Sequence, residues 1–268
     1  MKKKGISKGI VLGLATGFLF SGIVFAAGEE QNHSWELGTE LSSITYEEPG
    51  LMEESGVMIG LAGSYTYRNN WMFKLESVFK YGQVDYEGAL WDGTPLNVDN
   101  IDDYIVETRG LAGYDFSVFK ATTLTPYIGF GYRYLFDDSG AASPAGYGRE
   151  SNYLYSPIGI ETMTDLRNGW FLGLTIEYDI FWSGVQTSYM SDLEYGLNDV
   201  ENDQSGGYGF RGSVKFQNSR FVIEPYIRYW DIDDSDPSIL TYFGRPVAVI
   251  YEPENNSTEI GVKLAVKF

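Results

Sequence analysis

The chain has 268 residues, no cysteine and a formal net charge of −18. Without cysteine there is neither a disulfide framework nor a thiolate metal site, and so acidic a surface argues against nucleic acid as a partner. Aromatic residues make up 16 % of the chain and glycine is abundant at 32 residues, which points to a β-rich protein held by backbone pairing and packing.

Residues 1–26 read as a secretory signal peptide: MKKKGISK is a basic start, GIVLGLATGFLFSGIVFAA an apolar run, and Val24-Phe25-Ala26 is acceptable to signal peptidase ahead of Ala27. A retained membrane helix is the alternative, because the run is nearly long enough to span a bilayer. Residues 27–268 then form one domain, and removal of Lys2, Lys3, Lys4 and Lys8 leaves it at −22.

Ten segments follow in which apolar and polar residues alternate, the period of a strand whose successive side chains leave opposite faces. SWELGTEL sets Trp35, Leu37 and Leu41 against Glu36 and Glu40, and VMIGLAGSYTYR sets Val57, Ile59, Leu61, Tyr65 and Tyr67 against Arg68. WMFKLESVFKY sets Trp71, Phe73, Leu75, Phe79 and Tyr81 against Lys74, Glu76 and Lys80. In YIVETRGLAGYD, the least regular, Tyr104, Val106, Ala112 and Tyr114 oppose Glu107, Arg109 and Asp115. In LTPYIGFGYRYLF, Leu124, Ile128, Phe130, Tyr132 and Tyr134 oppose Arg133, and in YLYSPIGIETM, Leu154, Ile158 and Ile160 oppose Glu161. WFLGLTIEYDIFW is the clearest, with Trp170, Leu172, Leu174, Ile176, Tyr178, Ile180 and Trp182 against Glu177 and Asp179. GYGFRGSVKF opposes Tyr208, Phe210, Val214 and Phe216 to Arg211 and Lys215, and FVIEPYIRYW opposes Phe221, Ile223, Ile227 and Tyr229 to Glu224 and Arg228. The closing EIGVKLAVKF opposes Ile260, Val262, Leu264, Val266 and Phe268 to Glu259, Lys263 and Lys267.

Every charge in these segments falls on the parity opposite the apolar one. The expected fold is therefore all-β, a closed antiparallel transmembrane barrel of about ten strands with its apolar face to lipid. The connections agree: RNN, FSVFKA, DLRNG and QNSR are tight and alternate with five long ones rich in Gly, Asp, Asn and Ser. Short turns belong to the periplasmic end of such barrels and long loops to the extracellular end. In the last loop, ILTY and VAVIY flank FGRP and are too short to cross a membrane, so they are expected to pair as a hairpin above the barrel.

The inward parity carries ten acids and ten bases from Glu36 to Lys267, neutral in sum. A barrel near eight strands is filled by its side chains, whereas open channels appear near sixteen. All of these charges but Asp115 and Lys267 are therefore expected to form a structural ion-pair network across the lumen. Turning an Arg or Lys to lipid at mid-depth would cost roughly 2–4 kcal/mol, which fixes the register. The acidic surplus lies in the long loops, where 24 acids face only Arg149 and Arg245. Such loops could gather divalent cations between lipopolysaccharide phosphates or meet a basic partner; the plainer reading is a solvated, self-repelling surface. DIDDSD, residues 231–236, lacks the glycine turn and distal Glu of an EF-hand loop.

The signal peptide, TPYIGFGYRY in the fifth segment and the alternating end closed by Phe268 together resemble the small outer-membrane β-barrel proteins of Gram-negative bacteria, of the OmpA-like and porin-family kind. The resemblance implies the cell outer membrane as location, lipopolysaccharide as neighbour, and Phe268 as the tag read by the barrel-assembly machinery. The strand number also resembles that of omptins, ten-stranded proteases whose site pairs aspartates with an Asp-His dyad at the extracellular rim. The single histidine here, His33, precedes the first segment on the periplasmic side, so that match fails at its base. Outer-membrane deacylases, palmitoyltransferases and phospholipases need a histidine beside a serine to make a nucleophile, and none can be assembled at the outer face. The expectation is a monomeric, non-enzymatic protein without cofactor or resident metal, structural or engaged in surface interaction. A narrow ion or solute channel and a carboxylate-only surface hydrolase of omptin-like shape are the alternatives.

Overall fold

The computed structural model describes residues 32–90 and 92–268, so the signal-peptide reading of residues 1–26 lies outside the described residues. Fourteen strands are formed among the described residues: β1 (His33–Glu48), β2 (Met52–Asn69), β3 (Trp71–Ala89), β4 (Pro95–Tyr114), β5 (Phe116–Phe119), β6 (Thr122–Asp138) and β7 (Gly148–Asp165), then β8 (Phe171–Ser188), β9 (Val200–Gln204), β10 (Gly207–Gln217), β11 (Phe221–Ile232), β12 (Ser238–Tyr242), β13 (Arg245–Ile250) and β14 (Asn255–Lys267). Ten of them close an antiparallel barrel in the order β1-β2-β3-β4-β6-β7-β8-β10-β11-β14, and β14 returns to β1. These ten are the alternating segments of the sequence. Closure leaves no strand edge in the bilayer, the condition under which sheet can span it at all.

The outside of the barrel is oil-facing. Ile59, Leu61, Ile176 and Ile260 are 60%, 62%, 64% and 59% exposed, a ring of bare aliphatic surface that water would not tolerate. Trp35, Trp71, Phe216, Phe221 and Phe268 are exposed toward the short-turn end, and Tyr81 and Trp182 toward the other, the two interfacial levels where aromatics settle. At the short-turn end, Asn70 and Arg167 take left-handed backbone (φ 56 and φ 63) in the turns that join β2 to β3 and β7 to β8.

The strands run further than the alternation suggested. Residues 82–103 read as a loop, yet β3 continues to Ala89 and β4 starts at Pro95. The reason is a change of solvent. Above the outer aromatic level the outside meets water and the inside meets protein, so the hydrophobic parity inverts: Ile44, Met58, Val84, Val98, Ile101 and Ile105 all point inward and pack as one buried cluster. On β8 the switch is made by a bulge, because Leu154 faces Ser183 while Tyr155 faces Phe181, and one extra residue reverses which side chains point in. Beyond it β9 adds to the end of β8. β12 and β13 pair as a separate two-stranded sheet, the hairpin expected above the barrel. Leu240 of that hairpin packs on Met190 and Val200, which ties it down over the barrel mouth. Within the turn read as FSVFKA, β5 forms a short extra pairing with β6.

Candidate functional site

Two regions gather polar and aromatic side chains, the lumen and the cap of loops above it. In the lumen, the inward positions of neighbouring strands lie a few ångströms apart, and opposite charges there pair in three groups. Glu36 and Glu224 share Lys215 and Lys263, with Lys263 at 3.1 Å and 2.9 Å. Glu40 and Glu259 share Lys80 and Arg228: Arg228 lies 2.9 Å from Glu40 and 3.5 Å from Glu259, and Lys80 touches both. The third group runs continuously through the barrel. Arg68 holds Asp115 at 3.3 Å and Glu161 at 2.7 Å, Lys74 links Glu161 to Glu76, and Arg109 links Glu76 at 2.6 Å to Glu177. Arg211 then takes Glu107 at 2.5 Å, Asp179 at 2.7 Å and Glu177 at 3.2 Å.

Arg133 departs from the expected pattern. It is buried, its neighbour across the β4–β6 ladder is Glu107, and it makes no ion pair among the described residues; instead its guanidinium sits 5.6 Å from the centre of the Trp230 ring. Trp230 is the reason. With Tyr153, Tyr155, Phe181 and Ile232 it forms a buried inward cluster, placed where an ion-pair layer was expected. Lys267, at the short-turn end, likewise makes no ion pair among the described residues, and Phe268 beside it exchanges backbone hydrogen bonds with Trp35 at 3.1 Å and 2.8 Å. The alternation of the sequence could not single out Tyr127, Tyr155 and Tyr226, yet their hydroxyls bind lumen carboxylates: Tyr127 donates to Glu177 at 2.7 Å, Tyr226 to Glu40 and Glu259 at 3.0 Å and 2.8 Å, and Tyr155 to Glu107.

The cap has its own charge centre. Arg149 reaches Glu48 at 3.2 Å, Glu54 at 2.6 Å and Asp137 at 2.5 Å, and lies over the Tyr46 ring. Tyr46 in turn donates to Glu252 at 3.1 Å. Burial, opposed by Arg149, pushes the Glu54 carboxyl up to about 8, and burial together with the nearby Glu48 pushes Glu252 up to about 7. In the sequence Arg149 is one of two bases in the long loops, and nothing in its surroundings marks it as the hub. At the hairpin tip Phe243 and Gly244 form the two-residue loop between Tyr242 and Arg245, with φ 47 and φ 74. Phe243 is 63% exposed and is flanked by Tyr195, 86% exposed, and by Tyr242, at ring distances of 5.7 Å and 4.7 Å.

No family model and no curated protein matches the sequence. Among solved structures the chain is similar to the outer-membrane protease OmpT from Escherichia coli, with a TM-score of 0.62 at 10% identity over 88% of this chain and 96% of that one. The translocator domain of the autotransporter NalP from Neisseria meningitidis has a TM-score of 0.41 at 11% identity over 88% and 89%, and Ail, the attachment invasion locus protein of Yersinia pestis, 0.36 at 10% over 88% and 99%. The fold is that of the outer-membrane β-barrels.

In barrels of this fold short turns ordinarily lie in the periplasm and long loops outside the cell, and here the short turns and the cap lie at opposite ends. His33 lies at the first residue of β1, opposite Tyr67, and its ring nitrogen is 2.6 Å from the Tyr65 hydroxyl. It is therefore at the short-turn end, a full barrel height from the carboxylates of the cap.

Proposed function

We propose that this barrel is a non-enzymatic surface-interaction protein that works through its extracellular cap. The observation that carries the reading is Phe243. A two-residue hairpin loop with both residues at positive φ is ordinarily filled by Asn, Asp or Gly, and a bulky side chain there is strained. Strain of this kind is retained where it serves a purpose, and here it holds an aromatic ring in water at the outer tip of the cap, beside exposed Tyr195 and half-buried Tyr242. Aromatic anchors of this type dominate contact energy in protein interfaces. The surrounding loops are acidic, with Glu194 accepting from the Tyr242 hydroxyl at 3.0 Å, which favours a partner with an apolar socket and a basic rim. The distance of His33 from the cap supports the non-enzymatic half of the reading, because a serine or water nucleophile there would have no imidazole base.

The test uses proteoliposomes carrying the chain, passed over phenyl-bearing, polylysine and polyglutamate surfaces. Retention is expected on the first two and should fall several-fold in the Phe243→Ser/Tyr195→Ser variant. Equal retention of variant and parent would overturn the reading.

A narrow channel is the second reading, and one observation favours it: a void of about 90 Å³ among the lumen charges, lined by Glu36, Lys74, Arg109 and Arg228, together with buried Arg133 Nε, Asp179 Oδ1 and Trp230 Nε1, which have no hydrogen-bond partner among the described residues. Water would satisfy such atoms. Against it stand the ion pairs and the Trp230 cluster above them, so planar-bilayer recording is expected to give no steady conductance. A steady ion-selective current, altered by Lys74→Gln or Glu177→Gln, would establish the channel instead.

A further inference from the structure

Beneath the hairpin the cap forms a half-open cavity of about 740 Å³, within the range of ligand pockets and far larger than an ordered water needs. Leu51, Met52, Leu96, Val98 and Ile101 of the β1–β2 and β3–β4 connections and their flanking strands line it, as do residues 248–251 at the end of the hairpin. Glu48, Glu54, Glu252 and Arg149 line it too, gathered around Arg149 and Tyr46.

This cluster is short of positive charge. Arg149 is fully engaged, its three guanidinium nitrogens on Glu48, Glu54 and Asp137. Glu252 is buried, accepts from Tyr46, and makes no ion pair among the described residues. One guanidinium thus faces four carboxylates at the margin of an apolar space, where uncompensated charge is costly. Burial raises Glu54 to about 8 and Glu252 to about 7, so these acids hold protons that an arriving cation would displace. A bare divalent ion is the poorer occupant, because no group of three or more metal-ligating side chains is arranged to hold one among the described residues, and because it would leave the apolar lining facing water.

We infer that the cavity is a binding site for an amphiphilic organic cation, its ammonium seated among Glu48, Glu54 and Glu252 and its apolar body against the apolar lining residues of the loops. This goes beyond the surface-interaction reading and stands whether or not the lumen conducts. Tyr86, Tyr147 and Tyr251, which also line the cavity, add rings of the kind that attract an ammonium.

The experiment keeps the apolar body constant and varies the head. Adamantylamine, adamantanol and adamantanecarboxylate are titrated into the full chain in lipid nanodiscs and followed by calorimetry, with empty nanodiscs as control. The amine is expected to bind at least tenfold more tightly than the alcohol, and the carboxylate not measurably. Glu252→Gln, which preserves shape, is expected to remove most of that tenfold preference, and Leu96→Trp, which adds bulk on the half-buried face of β4 that lines the cavity, to abolish amine binding. Both variants must retain the heat-modifiable barrel. Equal binding of amine and alcohol, preference for the carboxylate, amine binding unchanged in Leu96→Trp, or no binding by the parent chain would each overturn the inference.

Discussion

Phe243 and Glu54 show how single residues in the cap trade stability against another demand. Placing an L-residue with a Cβ in left-handed backbone costs about 1–2 kcal/mol, less for Asn, whose side chain bonds locally. Phe243→Asn is therefore expected to stabilise the β12–β13 hairpin by about 1 kcal/mol, seen as slower proteolysis within residues 237–252, while lowering retention on phenyl surfaces. A variant that is both more stable and equally retained would mean that the ring has no contact role. For Glu54 the sign follows from its raised pKa of about 8, set by burial. Between the ordinary carboxylate value of 4.5 and about 8 the folded cap holds a proton that the unfolded chain releases, so cap stability falls as pH rises through that window. Glu252, raised to about 7, adds in the same direction. Limited proteolysis of the cap should accelerate between pH 5 and pH 8.5, and Glu54→Gln should flatten the dependence. Acceleration toward acid instead would contradict the buried placement of both acids.

At the scale of strands, the barrel wall is fitted together by tyrosines laid over glycines of the neighbouring strand. A Cβ added to Gly159 or Gly261 would fall 2.5 Å and 2.6 Å from ring atoms of Tyr127 and Tyr226, and one added to Gly131 would overlap the Tyr155 ring. The ring covers the bare backbone and its hydroxyl is thereby aimed at a lumen carboxylate, so packing and charge placement are one arrangement. Gly110, which faces lipid, has nothing within 4 Å of an added Cβ. Gly131→Ala is therefore expected to destabilise the barrel by about 1–3 kcal/mol through overpacking, while Gly110→Ala should be neutral or slightly stabilising. Urea unfolding in micelles followed by tryptophan fluorescence would measure both, and equal effects would show that the Tyr155 ring is not confined by Gly131. The same scale explains what the sequence disclosed. Ile59, Leu61 and Ile176 alternate with charges because hydrocarbon lies on one side and a polar lumen on the other, so the ten crossing segments and the inward side of Lys74, Arg109 and Arg211 could be placed by parity alone, though not their partners. Val84, Val98 and Ile101 obey the opposite parity because their outside is water, and a reading that assumes one solvent stops at the aromatic level. Trp230 and Arg133 were lost for another reason: parity says that both point inward, but not which inward residues stack on each other.

The whole molecule divides into a barrel that closes on itself and a cap that does not contribute to closure. The barrel seam is made by β1 with β14 and by β8 with β10, whereas β12 and β13 pair only with each other. They are held to the other loops by Leu240, Ala248 and Ile250 packing on Met190 and Val200, by a bridge between Leu197 and Tyr242, and by hydrogen bonds that join Ser238, Thr241, Tyr242, Phe243 and the Asp236 and Ile250 carbonyls to residues 194–202. The neck of that hairpin is already narrow: the Ser235 backbone N–H donates to the Glu252 carbonyl at 2.9 Å, and the Glu254 N–H to Asp234 at 2.6 Å. Replacing residues 236–251 by two glycines should therefore close the chain with a tight turn and leave every barrel strand in register. The shortened protein is expected to keep the parent's heat-modifiable migration and its barrel unfolding midpoint, because lipid-facing burial and lumen pairing are untouched. It should at the same time lose retention on phenyl surfaces, through removal of Phe243, and lose adamantylamine binding, through removal of the lining residues Ala248 and Ile250. Loss of barrel folding in this variant would show that the hairpin takes part in closure, and the division of the molecule into a self-sufficient wall and an interacting cap would then be wrong.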